Sequence, residues 1–267
     1  LDGFNYALRI QRTNGQTGTG LQYLQTELES ADSMQFRGKK LTLSFYARKG
    51  ANFSQSSSQL TSNVATGTGT DQSLISGFTG GANVLSQNNT LTTSWQRFSH
   101  TTSSVLASTV NQIAVQFTHS PAGTAGAADY YEITGVQLEV GEAATDFEYR
   151  PYGEELALCQ RYCTAMDLKY LSFWYSSYQT YWFSETIKFP TTMRGNPSVS
   201  LVSGSFRFSH FNNSWQSDTL TSINNVQVAR PDHCLLRLTA TGSYSPTDHG
   251  IYSGEGVTAF IKAVAEL

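Results

Sequence analysis

The chain is short of charge. Only 14% of its 267 residues are Asp, Glu, Lys or Arg, against about a quarter in an ordinary globular domain. The 17 basic and 20 acidic side chains leave a formal net charge of −3. The basic ones are scattered, so the electrostatic footprint that a nucleic-acid partner needs is missing, and no such partner is expected. No apolar run approaches the roughly 18 residues of a membrane-spanning helix, so membrane insertion is not expected either. The three cysteines, Cys159, Cys163 and Cys234, are too few, and odd in number, for a disulfide framework. They read as buried or partly buried free thiols in a chain folded in a reducing cytoplasm. No secretory signal peptide is expected. The chain opens at Leu1 without Met, and further sequence ahead of it is expected.

Recognisable catalytic sets are missing too. There is no G-x-S-x-G, HExxH, CxxC or phosphate-cradling glycine loop. His100, His119, His210, His233 and His249 are spread out, without the paired spacing of a zinc site. No internal repeat is present. The expectation is therefore no catalytic residue, no cofactor and no metal. A glycosidase's two facing carboxylates leave no fixed spacing, so that class stays open at this point.

What the chain does have is aromatics, at 12%, and many hydroxyl side chains. Phe4, Tyr6, Leu8 and Ile10 alternate with polar neighbours, as do Leu41, Leu43, Phe45 and Ala47, then Ile113, Val115 and Phe117. Period 2 predicts strands with one face in a core. Asn63–Asp71 and Gly77–Asn89, rich in Gly, Ser, Thr and Asn, read as loops. Trp95, the only tryptophan of this half, reads as a core residue. Such a run of short strands predicts an antiparallel sandwich. Ile133, Val136, Leu138 and Val140 read as its last strand. Gly141 then turns the chain, Pro151 blocks a backward helix, and Glu154 and Glu155 suit the first turn of a short helix. The acidic residues Asp129, Glu132, Glu139, Glu142, Asp146 and Glu148 read as solvated carboxylates; a structural calcium is the alternative.

Beyond the helix, Phe173-Trp174-Tyr175 and Tyr181-Trp182-Phe183 mirror each other about Tyr178. A hairpin centred on Tyr178 would set Trp174 opposite Trp182, Tyr175 opposite Tyr181 and Phe173 opposite Phe183. Trp174 and Trp182 would then share a face, either stacking on sugar or packing in a core or subunit contact. Tyr178 is expected at the exposed tip. Cys234, Leu236 and Leu238 alternate with Leu235, Arg237 and Thr239, and leucine on both parities predicts a strand covered on both faces.

Two resemblances follow from these residues. Val136-Gln137-Leu138-Glu139, Gly141, Ala144-Thr145, Phe147-Glu148, Arg150, Glu155-Leu156 and Cys159-Gln160-Arg161-Tyr162 resemble the junction of tailed-bacteriophage tail fibre and receptor-binding proteins. Phe189-Pro190, Met193-Arg194, Pro197 and Val199, with Ala259-Phe260-Ile261 and Ala265-Glu266-Leu267, resemble phrases of their C-terminal domains. Tyr6–Ile10, Gly38–Arg48, Ser94–Phe98 and Val136–Glu139, in that order, resemble jelly-roll carbohydrate-binding modules. The resemblances imply an all-β chain: a jelly-roll sandwich over 1–150, a connector with a short helix over 151–163, and a smaller sandwich-like tip domain over 164–267. They imply a homotrimer, joined to upstream tail fibre or tail proteins, assembled in the host cytoplasm and carried on the virion. The function they imply is adhesion to bacterial surface polysaccharide or lipopolysaccharide without cleavage, with Trp174, Tyr178 and Trp182 as glycan contacts. The alternatives are a structural spacer of the virion, or the accessory binding domain of a glycan-cleaving tailspike.

Overall fold

The computed structural model describes residues 3–167, 173–176, 181–184, 186–203, 206–211, 215–220, 225–239 and 260–265. The chain divides into two compact units between Tyr149 and Arg150.

The first unit is built from eight strands: β1 (Leu8–Gln11), β2 (Gln22–Leu28), β3 (Leu41–Lys49), β4 (Gln59–Gly67), β5 (Ala82–Thr90), β6 (Gln96–Thr101), β7 (Gln112–His119) and β8 (Tyr130–Val140). They form two antiparallel four-stranded sheets, ordered β1-β8-β3-β6 and β2-β7-β4-β5. First strand pairs with last, second with seventh, third with sixth and fourth with fifth. This is a long hairpin wound into a two-layer sandwich, which is the jelly-roll topology. The alternation in β3 and β7 explains the packing. Leu41, Leu43, Phe45 and Ala47 point inward from one sheet, and Ile113, Val115 and Phe117 from the other. Phe45 joins the layers, with its ring centroid 5.3 Å from that of Phe98 and 4.8 Å from that of Phe117.

In β8 the apolar residues change parity between Ile133 and Leu138, yet both face the core. The register explains this: Ala47 lies opposite Ile133, Leu43 opposite Leu138, and a bulge falls between Ser44 and Tyr46. Gly135 sits in the bulge at φ +57°, and a Cβ there would meet the Phe4 ring at 2.6 Å. Glycine therefore serves both the left-handed backbone and the close approach of an aromatic ring.

Several sequence expectations are corrected. Phe4 and Tyr6 precede β1 and do not enter the core. Tyr6 is 90% exposed. Phe4 lies against Tyr46, Phe147 and Tyr149, so residues 147–149 lie along the outside of β3 and β8. There Gln137 Nε2 donates to Thr145 Oγ1, and Thr145 N–H donates to Glu139. Trp95 is half-buried outside the core, with the Arg48 guanidinium 4.9 Å from its ring centre. The stretches read as loops, 63–71 and 77–89, largely form β4 and β5. Asp129 and Glu132 are buried, not solvated. Asp129 Oδ2 accepts from Arg12 Nη1 at 2.9 Å and from Ser54 Oγ at 2.8 Å. Arg12 Nη2 donates to the carbonyls of Gln16, Gly18 and Gly123. One guanidinium thus fills the ring of oxygens where three loops meet.

The second unit starts with a helix, Tyr152–Gln160, carrying Glu154 and Glu155 in its first turn. The strands are β9 (Cys163–Asp167), β10 (Phe173–Ser176), β11 (Tyr181–Ser184), β12 (Ile187–Lys188), β13 (Ser198–Ser203), β14 (Phe206–Phe211), β15 (Trp215–Leu220), β16 (Asn225–Ala229), β17 (His233–Thr239) and β18 (Phe260–Val264). β17 is central to one sheet, pairing with β11, β12 and β16, while β18 pairs with β9 and β13. Cys234 and Leu236 are buried and Leu235 is half-buried. Cys159 and Cys163 are exposed, against the expectation of covered thiols. The helix carries no buried residue, so its thiol has nothing to pack beneath.

Candidate functional site

Strands β2, β7, β4 and β5 turn one parity into the core, so the other parity forms the outer face of their sheet. Register aligns Tyr23, Thr118, Thr61 and Asn88 in one row across the four strands, and Gln25, Gln116, Asn63 and Ser86 in the next. A third row begins Glu27, Ala114 and Ala65. At neighbouring-strand spacing a row spans roughly 15 Å.

The residues between strands β4 and β5 form a rim at one end of this face. Leu74 N–H donates to Glu27 Oε1 at 3.0 Å, and Gln112 Nε2 donates to the Gln72 carbonyl at 3.0 Å. A Cβ on Gly67 would fall 2.6 Å from Phe78 Cβ, so glycine leaves space for Phe78. Small residues line the strands beside the rim: Ala114 is fully buried and Ala65 nearly so.

The first two rows stay open, and their polar groups are held in place by one another. Gln116 Nε2 donates to Gln25 Oε1 at 2.9 Å, Gln25 Nε2 donates to Glu27 Oε1 at 2.8 Å, and Thr61 Oγ1 donates to Asn88 Oδ1 at 2.7 Å. Asn63 sits at the floor, 6% exposed. Each side-chain amide has two N–H donors and a carbonyl acceptor, so Gln25, Gln116 and Asn88 keep donors or acceptors that this network does not use. No Lys or Arg occupies these rows, and Glu27, the carboxylate of the third row, already accepts two hydrogen bonds. Tyr23 stands at the β2 edge with its ring half exposed, a short apolar platform beside the amides. The surface is suited to an uncharged ligand rich in hydroxyls.

The residues singled out from sequence lie in the second unit. Trp174 is in β10 and Trp182 in β11. Their side chains, and Tyr178 altogether, lie outside the described residues. The hairpin register is one residue away from the mirror: Trp174 pairs with Phe183, Tyr175 with Trp182 and Phe173 with Ser184. A one-residue shift exchanges the faces of a strand, so the ladder does not set Trp174 and Trp182 opposite each other. Pairing with β17 at Trp182 and Leu238 fixes this register from the far side.

The amide rows did leave a trace in the sequence. Gln112, Ala114, Gln116 and Thr118 alternate with apolar residues, and Tyr23, Gln25 and Glu27 alternate with Leu24, Thr26 and Leu28. A polar parity of Gln, Asn and Thr, with almost no charge, differs from the Lys- and Glu-rich face usual on a solvated sheet.

No family model and no curated protein matches the chain. Among solved structures, it is similar to one titled "CBM4 structure and function", at 17% identity and a TM-score of 0.34, over 52% of this chain and 73% of that one. It is also similar to the N-terminal CBM22-1-CBM22-2 tandem domain from Paenibacillus barcinonensis Xyn10C, at 12% identity and a TM-score of 0.28, over 94% of this chain and 86% of that one.

Proposed function

We propose that this chain is a non-catalytic glycan-binding protein, and that the first unit takes a neutral polysaccharide across the outer face of β2, β7, β4 and β5. The observation that carries this reading is the interlocked row Gln116–Gln25–Glu27 beside Asn63. Sugar hydroxyls each donate and accept, and preset amides answer both roles without an ordering cost at binding. Tyr23 offers its ring to the apolar face of a pyranose. The absence of cationic side chains from the rows favours an uncharged chain over an acidic one.

The biological setting we propose is adhesion to bacterial surface polysaccharide or lipopolysaccharide, as the receptor-binding region of a phage tail fibre on the virion. Support for it is the junction phrase Val136–Tyr162 and the phrase Phe189–Val199. Affinity electrophoresis of the purified chain through gels containing individual polysaccharides tests the reading. We expect retardation by at least one neutral bacterial polysaccharide, with no reducing ends released. Migration unaffected by every neutral polysaccharide, or release of reducing ends, would overturn it.

A further inference from the structure

The opposite sheet carries the charge that the amide face lacks. On the outer side of β1, β8 and β3, Arg9, Glu132 and Arg48 stand in a row set by register, with Arg9 opposite Glu132 and Glu132 opposite Arg48. Glu132 Oε1 accepts from Arg9 Nε and Nη2 at 2.9 and 2.6 Å, and Oε2 accepts from Arg48 Nε at 2.5 Å. One carboxylate between two guanidinium groups leaves a net positive charge. Each cation is also held by a ring. Arg9 lies 4.1 Å from the centre of Tyr130, and Arg48 lies 4.9 Å from that of Trp95. Tyr130 is wedged in turn: a Cβ on Gly50 would fall 2.7 Å from its ring.

This anchoring differs from an ordinary surface ion pair. Arg48 spends Nε on Glu132, while Nη1 and Nη2 have no acceptor among the described residues. Its side chain is 36% exposed and that of Arg9 is 48% exposed. A guanidinium held in plane by an aromatic ring, with a free pair of donors, matches the two oxygens of a carboxylate or phosphate. Thr145, in the segment after β8, lies elsewhere on this sheet, against Arg97, Gln137 and Glu139.

We propose that this row is a second ligand surface of the first unit, and that it takes an anionic saccharide, one bearing a carboxylate or phosphate group, on the Arg48 donors. It is independent of the amide face, and the two would let one unit read both neutral and acidic parts of a heteropolysaccharide. Calorimetric titration of the full chain tests it with three ligands: a uronic-acid oligosaccharide, a phosphate-bearing oligosaccharide and a neutral oligosaccharide. Binding of either acidic ligand, weakening as salt rises, is expected. Arg48→Gln should lower that affinity by about tenfold or more while leaving the neutral titration nearly unchanged. Arg48→Lys, which keeps charge but not the paired donors, should fall between. The source of the anion is given by which acidic ligand binds. Failure of both acidic ligands to bind, or acidic binding that survives Arg48→Gln at full strength, would overturn the proposal whatever the neutral ligand does.

Discussion

Arg12 and Asp129 place two full charges where each side chain is 1% exposed. Isolated, either would be costly to bury; together, with Ser54 and three carbonyls accepting from the two Nη groups, they clamp three loops. Removing one partner strands the other, so Arg12→Met should destabilise the protein by on the order of 3–5 kcal/mol in denaturant titrations. Adding Asp129→Leu should recover part of that loss. The first unit should also show two acid-sensitive ranges. Burial lowers the pKa of His119, with Arg12 adding to the shift and Asp129 opposing it, and burial lowers that of His100. A histidine with a depressed folded pKa is stabilising above its unfolded value of about 6.5 and loses that contribution as pH falls from there through the lowered folded value. Burial raises the pKa of Glu132, but its hydrogen bonds to Arg9 and Arg48 outweigh this and hold it below the usual carboxylate value of 4.5. That contribution is present above 4.5 and is lost as pH falls through the lowered value. Melting temperature should therefore decline first below neutrality and again in the carboxylate range. Glu132→Gln should flatten only the second decline.

At the scale of elements, the register of β10 and β11 and the bulge in β8 are the features most open to direct test. With Cys159 and Cys163 replaced by serine, Phe173→Cys with Ser184→Cys should form a disulfide on mild oxidation, because paired Cα atoms lie about 4.5–5.5 Å apart. Phe173→Cys with Phe183→Cys, the mirror-image pair, should not. Gly135→Ala forces an L side chain into φ +57° and against Phe4, and should cost about 1–3 kcal/mol. Much of the sandwich was legible in sequence, since β3 and β7 alternate strictly around Leu43, Phe45, Val115 and Phe117. The strands β4 and β5 were not. Their outer parity is amide and hydroxyl, and β4 adds Ser62 and Thr66 on its inner parity, so composition resembled a loop. The same chemistry that makes the candidate site concealed the strands that carry it. The bulge at Gly135 and the buried partners of Asp129 depend on contacts between residues more than 70 positions apart, which local pattern does not encode. The mirror symmetry of the aromatic triplets failed because strand register is set by both neighbours, here including β17.

For the molecule as a whole, the phage-fibre reading carries an assembly expectation: light scattering should give about three times 29.3 kDa, whereas a monodisperse monomer would count against it. Reductant should leave the melting temperature unchanged, because the cysteines are free. The proposed glycan face is a separate matter, confined to the first unit, and it competes with the aromatic hairpin of the second as the place where sugar binds. One comparison separates them. A glycan array is probed with the intact chain, with the double variant Asn63→Ala, Gln116→Ala, and with Tyr178→Ala, all matched for melting temperature. Loss of the two amides should remove about tenfold or more of the affinity for whichever neutral glycan the intact chain selects, while Tyr178→Ala leaves it close to unchanged. Full-strength binding by the double variant, with loss in Tyr178→Ala, would contradict the account and move the site to the second unit.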